Sequence, residues 1–597
     1  MAKDLDTTED ELKEESGAES KQEETGDSAS EDAEKESAES KSDEADSEES
    51  ESEKKESEKK ESETEEDVED SGEGKKKKRK KKKKDKSDRI IPKEERAKLW
   101  KIIVTLVMIF GFTFLTAAVI WALVSWDTLN MDELVWHLKV SMKGVNPGMV
   151  WSFVLTTVGS AIILTGLAAL FIFKNRKYRN TGKRVLRCFF IGSFAILLTG
   201  MISAFFGFNL GPWLRDYFNV STYIADNYVD PGTVEITFPE KKRNLIVIYL
   251  ESVEVTFADK EDGGAFPKSA IPELVELAKE NECFSSDKSK LNGGLAMPGA
   301  VWTMGALVGT TTGLPLKTPL GQNGMSVNDD FFPGVVGIGD ILQKEGYKNR
   351  LLMGTSAVFG GCELYYTSHG VNEIHDYYQA IDVGRIPEDY YVWWGYEDEK
   401  LFDYAREELT ELASGDQPFY FSMQTMDTHF EDGHYCPHCK REFGANKYAN
   451  VMCCSSRFVY SLVRWIQNQD FYENTTIIIT GDHPTMDKNF CENVPDDYVR
   501  KTYTCIINPA EGVETNGKTR VFTTFDLFPT SLAAIGVKIE GEKLGLGTNL
   551  FSDVPTLTES QSVEEEEQGV SCRSKMMERM YKGTYVSPFY GGNGDEE

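Results

Sequence analysis

The first third of the chain contains three long apolar runs that carry no charged residue. About 20 such residues are enough to cross the hydrocarbon core of a bilayer as a helix. Buried helices of soluble proteins are normally shorter or have a polar face. We therefore predict three transmembrane helices, within Ile102–Trp126, Met149–Phe173 and Cys188–Pro212.

After the third run the pattern changes to short apolar runs that alternate with helical periodicity. This alternation predicts an α/β domain with a mostly parallel sheet. The carboxyl ends of parallel strands share one edge of the sheet, where α/β proteins bind their ligands. We therefore expect residues that are distant in sequence to meet there: Glu251 after NLIVIYL, Gly354 after NRLLM, Asp427 and His429 after PFYFSMQ, and Asp482 and His483 after TTIIITG.

The net charge of -33 is distributed unevenly along the chain. Residues 1–74 contain 33 acidic residues against 9 lysines and almost no large apolar side chain, which predicts disorder. Residues 75–98 contain 15 basic and 4 acidic residues. Such clusters also occur in nucleic-acid-binding proteins, but this one directly precedes an apolar run, which favours contact with anionic lipid. We predict that residues 1–98 form a disordered cytoplasmic tail.

A second basic segment, Lys174–Arg184, separates the second and third apolar runs. Because basic segments stay in the cytoplasm, three spans place everything after Trp213 on the outside. The external part is acidic, which argues against nucleic acid as a partner and is compatible with cation binding. The predicted parts are a membrane region at 99–213, a linker at 214–241, an external globular domain at 242–552 and a mobile polar tail at 553–597.

Two strand ends and one glycine-rich segment contain the candidate chemistry. Singly, Glu251 and each histidine are most simply explained as loop or surface residues. Asp482 and His483, however, are adjacent and can reach one divalent ion. In LNGGLAMPGAVWTMGALVGTTTGLPL, Thr303 is expected near a helix amino terminus, where backbone N–H groups favour an anion. Alone it is a capping threonine; beside a metal its hydroxyl can become a nucleophile.

Five ordered motifs resemble one known family. They are NLIVIYLES, MPGAVWTMGALVGTTTGLPL, TMDTHFEDG, TIIITGDHPTMD and TTFDLFPTSLAAIGVKIEGEKLGLGTNLF. Together they resemble the bacterial phosphoglycerol transferase and lipoteichoic acid synthase group of the alkaline phosphatase and sulfatase superfamily. The resemblance implies a sulfatase-type α/β/α domain outside the membrane with one divalent metal, Mn²⁺ or Mg²⁺. By position it makes Glu251, Thr303, Asp482 and His483 the metal ligands, Thr303 the nucleophile, and His429 a substrate-pocket residue.

The residue chemistry and the resemblance lead to one hypothesis for the reaction. Thr303 attacks the phosphorus of phosphatidylglycerol, diacylglycerol leaves, and a hydroxyl of a glycan or a polyglycerolphosphate chain takes the glycerophosphate from Thr303. His429 donates a proton or holds a phosphate oxygen. We expect Trp302 and Gly354, with His429, to contact the substrate. The protein would be a multi-pass protein of the bacterial cell membrane.

Two departures from the family keep alternatives open. The loop after Gly354 has Ser356 and Cys362 near the places where the group often has an acidic and a basic residue, so headgroup specificity is not set by these motifs. The chain has three predicted spans where lipoteichoic acid synthases have five. A phosphoethanolamine transferase, or a sulfatase or phosphatase, on the same fold is an alternative, although sulfatases use Cys or Ser where Thr303 stands. A membrane scaffold without catalysis is the non-enzymatic alternative.

Four cysteines cluster in sequence as CPHC (Cys436 and Cys439) and CC (Cys453 and Cys454). Outside the cytoplasm such cysteines are expected to form disulfides. His438 between the first pair keeps a structural metal site as the less favoured alternative.

Overall fold

The computed structural model describes residues 89–126, 129–140, 143–319, 330–515 and 517–591. Most of the predicted disordered tail, up to residue 88, lies outside these residues. Within its last part, Lys93–Glu95 form a 3-10 turn and Ile90 pairs with Tyr178. This stretch therefore lies beside the basic segment that precedes the third long helix.

The membrane region consists of α1 (Leu99–Ser125), the short α2 (Met131–His137), α3 (Pro147–Asn175) and α4 (Arg179–Gly207). In the described part of the chain, α1, α3 and α4 are long and apolar enough to cross a membrane, as predicted. α4 packs closely on α1: a Cβ at Gly200 would lie 2.5 Å from Thr116 Oγ1, so only glycine allows this approach. Thr116 Oγ1 donates to Ile196 O at 2.8 Å across the same contact.

The third span differs from its predicted bounds of Cys188–Pro212. The helix starts earlier, at Arg179, and ends at Gly207. Asn209 then adopts a left-handed conformation (φ 48°), which turns the chain into a separate helix. The apolar pattern continued across this break and concealed it. Two short helices follow, α5 (Leu210–Phe218) and α6 (Tyr223–Asn227).

A seven-stranded mixed sheet forms the centre of the α/β domain, with the strand order β3-β8-β7-β2-β6-β4-β5. The four strands predicted from the apolar runs are adjacent in it and parallel, and β5 continues the parallel part. β8 and β3 are antiparallel additions at one edge. Within the described residues the strands are β1 (Ile236–Thr237), β2 (Asn244–Leu250), β3 (Gly293–Gly294), β4 (Lys348–Met353), β5 (Glu373–His375), β6 (Phe419–Gln424), β7 (Thr475–Gly481), β8 (Thr502–Ile507), β9 (Lys538–Ile539), β10 (Lys543–Leu544) and β11 (Gly547–Thr548).

Helices cover both faces of this sheet, which is the α/β/α architecture that the sequence predicts. Alternate residues of β2 point to opposite faces: Val247 and Tyr249 join one core, Ile246 and Ile248 the other. The remaining helices are α7 (Pro272–Glu280), α8 (Thr303–Thr312), α9 (Ile338–Lys344), α10 (Cys362–Ser368), α11 (Tyr377–Asp382), α12 (Asp398–Ala413), α13 (Lys447–Gln467), α14 (Leu527–Ala534), α15 (Leu557–Ser560), α16 (Val563–Ser571) and α17 (Lys575–Tyr581).

The α2 segment between the first two membrane helices docks into the α/β domain. Trp136 is fully buried, and its ring lies 5.4 Å from that of Phe331, centroid to centroid. Asp132 pairs with Lys317 at 3.4 Å and accepts from Trp213 Nε1 at 2.9 Å. The α2 segment and the α/β domain therefore share one hydrophobic core.

The end of the chain differs from the predicted mobile tail. Residues 557–581 form α15, α16 and α17, and Val570, Met577 and Met580 are buried in the same core as Trp136. The acidic run VEEEEQ gave this segment a polar composition, but the few apolar residues recur at helical spacing and face inward.

Candidate active site

The register of the sheet brings two of the predicted strand ends together. β2 and β7 are hydrogen-bonded neighbours, with Leu250 opposite Gly481. Glu251 and Asp482 follow these two residues, and Asp482 N donates to Leu250 O at 3.1 Å. Both carboxylates are fully buried, and His483 is 2% exposed. The sheet edge thus concentrates polar side chains that the sequence separates by more than 200 positions.

Thr303 joins this group from a different element, the helix α8. It is the first residue of α8, as the glycine-rich segment predicted, with Trp302 at the N-cap position. Its Oγ1 lies 3.2 Å from Glu251 Oε2 and 3.3 Å from His483 Nε2. The hydroxyl therefore sits at the helix amino terminus, where the free N–H groups favour a phosphate oxygen.

Glu251, Asp482 and His483 have the chemistry of a divalent-cation site. Their ligand atoms lie within 4.8 Å of one another, with His483 Nε2 at 3.5 Å from Glu251 Oε1 and 3.6 Å from Asp482 Oδ2. Burial, together with the charge of Glu251, raises the pKa of Asp482 to about 7. Two buried carboxylates this close need more positive charge than one imidazole supplies. A divalent cation fits that deficit and this set of oxygen and nitrogen donors.

Neighbouring groups orient each of the three side chains. Asp482 Oδ1 accepts from Ser252 N at 2.8 Å, and Oδ2 accepts from Gln424 Nε2 at 3.2 Å. The Ser252 hydroxyl donates to Glu251 Oε1 at 2.7 Å. His483 Nδ1 donates to Pro484 O at 3.0 Å, so its Nε2 lone pair faces the carboxylates. This outer layer holds the group in a geometry that suits a ligand set.

The pKa of Glu251 and the pKa of His483 each depend on the charge of the other residue. Burial alone would raise the pKa of Glu251, but the positive charge of protonated His483 lowers it. Burial alone would lower the pKa of His483, but the charges of Asp482 and Glu251 raise it. The cluster therefore keeps Glu251 ionised beside the Thr303 hydroxyl.

His429 lies after β6, beside this group. Its Nδ1 donates to Phe430 O at 2.7 Å, which leaves Nε2 available. The ring stacks on Phe430 and packs against Trp394, with centroids 5.0 and 4.8 Å apart. Burial lowers the pKa of His429, so the imidazole is neutral near pH 7 and can accept a proton.

Trp302 and Gly354 are the two other predicted substrate contacts. Trp302 is buried next to Thr303, and its Nε1 has no hydrogen-bond partner among the described residues. Gly354 follows β4 directly, and a Cβ there would lie 2.5 Å from Tyr396 O. Close packing thus already explains the glycine, and substrate contact by Gly354 stays a prediction.

Two features of the site were missed by sequence reasoning. Ser252 has a left-handed backbone (φ 59°), for which the sequence has no signal. Glu133 comes from α2, in the segment between two membrane helices, and is 3% exposed. Burial raises the pKa of Glu133 to about 8, and the charge of His483 lowers it, which places this carboxyl in the electrostatic field of the site. Only the fold brings a membrane-region residue to the sheet edge.

Comparisons with known proteins show which families and proteins the chain is similar to. Residues 300–502 match the family model described as Sulfatase. The chain is 30% identical over 388 residues to phosphoglycerol transferase I of Xanthomonas euvesicatoria pv. vesicatoria (strain 85-10), covering 62% of this chain and 52% of that protein. It is also 30% identical over 267 residues to phosphoglycerol transferase I of Escherichia coli (strain 55989 / EAEC), covering 44% and 33%. The chain thus spans about half the length of the curated relatives it matches first.

Among solved structures, the lipoteichoic acid synthase LtaP from Listeria monocytogenes is similar at 16% identity, covering 56% of this chain and 82% of that chain with a TM-score of 0.43. The family model and the sequence relatives confirm the resemblance found in the motifs. Residues 300–502 therefore match the Sulfatase family, and 388 residues of the chain are similar in sequence to a phosphoglycerol transferase.

Proposed function

We propose that the protein is a membrane-anchored, metal-dependent transferase that moves glycerophosphate from phosphatidylglycerol to a hydroxyl of a glycan or of a polyglycerolphosphate chain. The observation that carries this proposal is the position of Thr303 Oγ1, at a helix amino terminus and within 3.3 Å of both Glu251 and His483. The curated relatives are phosphoglycerol transferases, which supports this donor.

Glu251, Asp482, His483 and Thr303 would hold one divalent metal, Mn²⁺ or Mg²⁺. When bound, it would supply positive charge that lowers the pKa of the Thr303 hydroxyl and offsets the charge of the phosphate oxygens. Thr303 Oγ1 attacks the phosphorus and gives its proton to Nε2 of the neutral His429. The bond to the diacylglycerol oxygen breaks, and His429 passes the proton to that oxygen. The N–H groups at the start of α8 stabilise the charge on the phosphate oxygens. A glycerophosphate ester of Thr303 results.

The second half of the reaction regenerates Thr303. An acceptor hydroxyl attacks the same phosphorus, and the Thr303 oxygen leaves. His429, neutral and with Nε2 free, accepts the proton of the acceptor hydroxyl and returns it to the Thr303 oxygen as that oxygen leaves. Water in place of the acceptor would make the reaction a hydrolysis, so exclusion of water decides the outcome.

The membrane region supports a lipid donor. A cleft joins the end of α1, at Val124 and Ser125, to Phe430 and Glu431, which follow His429 directly. The described part of the tail and the basic segment at Tyr178 lie together at the start of α1, whereas α2 lies with the α/β domain. These positions support a cytoplasmic tail, an external active site and a substrate that reaches it from the membrane surface.

The test uses the full chain in vesicles that contain fluorescent phosphatidylglycerol, and follows the release of fluorescent diacylglycerol with Mn²⁺ or with a chelator. Thr303→Ala removes the proposed nucleophile. Thr410→Ala, on an exposed face of α12, is the matched control. We expect release that needs both metal and Thr303 and that Thr410→Ala leaves unchanged. Cleavage of phosphatidylethanolamine alone would favour an ethanolamine transferase, and no cleavage of any lipid by metal-loaded protein would favour the scaffold.

A further inference from the structure

A second cluster of potential metal ligands lies away from Thr303. Cys436 and Cys439 are in the segment between β6 and α13, and Cys454 is on α13. Cys436 Sγ lies 3.5 Å from Cys439 Sγ and 3.7 Å from Cys454 Sγ, and all three sulfur atoms are within 4.8 Å of one another. All ten cysteines of the chain are free thiols in the structure, which differs from the predicted disulfides.

The spacing of the three sulfur atoms matches a tetrahedral metal site. With a Zn–S bond of about 2.3 Å, two sulfur ligands of a tetrahedron lie about 3.8 Å apart. A disulfide instead brings one pair to about 2.05 Å and leaves the third sulfur out. Here Cys436 is nearly equidistant from its two neighbours. Both distances from Cys436 are thus close to the sulfur–sulfur separation of a tetrahedral site.

The local chain is built to present these sulfur atoms together. Cys439 N donates to Cys436 O at 3.1 Å, and this turn brings both thiols of the CPHC motif to one side. Cys436 and Cys454 are buried, and Cys439 is partly exposed. A fourth ligand such as water would reach the cluster from the partly exposed side, at Cys439.

Two nearby candidates are occupied by other partners. Cys453 Sγ lies 3.1 Å from both Glu442 Oε2 and Arg457 Nη1. His438 is exposed and pairs with Glu399 Oε1 at 2.8 Å, so the histidine inside CPHC is turned away from the cluster. The donor set is three thiols from two elements.

We propose that Cys436, Cys439 and Cys454 form a second metal site, for Zn²⁺ or a similar thiophilic divalent cation. On binding, each thiol releases its proton to solvent and no electron is exchanged. The bound ion would tie the segment that follows His429 to α13. The site differs from the Thr303 group in chemistry, because thiolates select softer cations than carboxylates do.

The test loads the full chain, purified under reducing conditions, with Co²⁺ alone. Cobalt bound to thiolates has an intense near-ultraviolet charge-transfer absorption, which oxygen and nitrogen ligands do not produce. We expect this band in wild type and in Thr303→Ala, and its loss in Cys454→Ser. Cys505→Ser, which changes a buried cysteine bonded to Leu277 O, is the control and keeps the band. Elemental analysis of zinc-loaded protein should find one equivalent of zinc less in Cys454→Ser than in wild type.

The partly exposed Cys439 supplies a second variant in case Cys454→Ser does not fold. Cys439→Ser should weaken cobalt binding at least tenfold with normal elution on size exclusion. Absence of the band in folded wild type, or a disulfide within this trio in protein isolated without reductant, would overturn the proposal. Because the band is independent of Thr303, its loss would leave the proposed transferase activity untouched.

Discussion

Ser252 offers a test that separates metal binding from folding. The residue is fully buried, adopts φ 59° and donates its hydroxyl to Glu251 Oε1 at 2.7 Å. A non-glycine residue in this region costs about 1 kcal/mol. A hydrogen bond to a buried charged group contributes about 1.5–3 kcal/mol. The hydrogen bond affects the metal affinity, whereas the backbone conformation affects the stability without metal. Separate measurements can therefore tell the two contributions apart.

Ser252→Ala and Ser252→Gly both remove the hydroxyl, but only glycine relieves the backbone. Loss of the hydrogen bond lets Glu251 move, so we expect Mn²⁺ affinity to fall about 10–100-fold in both variants. Without metal, Ser252→Gly should be about 1 kcal/mol more stable than Ser252→Ala, or about 1–2 °C in Tm for a chain of this size.

Titration calorimetry on chelator-treated full chain measures the affinity, and thermal unfolding measures the stability. Ser531→Ala, which removes a buried hydroxyl bonded to Leu527 O within α14, is the control and should keep the wild-type affinity. Unchanged Mn²⁺ affinity in both Ser252 variants would refute the inference that this hydroxyl orients a metal ligand.

Two further predictions concern buried charges. Burial raises the pKa of Glu133 to about 8, above the unfolded value of about 4.3, so its contribution to stability is present at low pH and is lost as the pH rises through about 8. The Tm of wild type should therefore fall relative to Glu133→Gln between about pH 5 and pH 8, and parallel curves would contradict this. Glu408 is 1% exposed and pairs with Arg350, Arg385 and His375. Glu408→Ala leaves Arg350 and Arg385 under-compensated and should destabilise the protein by about 3–5 kcal/mol, whereas the exposed Glu407→Ala should change the stability little.

The sequence was sufficient to predict the sheet edge. The apolar runs before Glu251 and Asp482 end at the point where two parallel neighbours end, and parallel strands place such residues side by side. Thr303 followed from the glycine-rich segment that starts α8. These features are local, and the rule that joins them is general.

Other features depend on contacts that no local pattern encodes. The left-handed Ser252 has ordinary neighbours in sequence, and Glu133 reaches the site only because α2 docks into the domain. The helices after Leu557 were hidden by their acidic composition, although the buried Met577 and Met580 hold them in place. The break at Asn209 was hidden by unbroken hydrophobicity. In each case tertiary packing, and not local composition, determined the structure of the segment.

The docking of α2 makes the segment between the first two long helices a structural part of the α/β domain. Trp136 fills a position in the core of the α/β domain, and Glu133 lies in the field of His483. A version of the protein that began after the third span would lack both residues and expose apolar surface around Phe331. A fragment limited to the α/β domain would therefore lack part of its own core and one carboxyl in the field of His483.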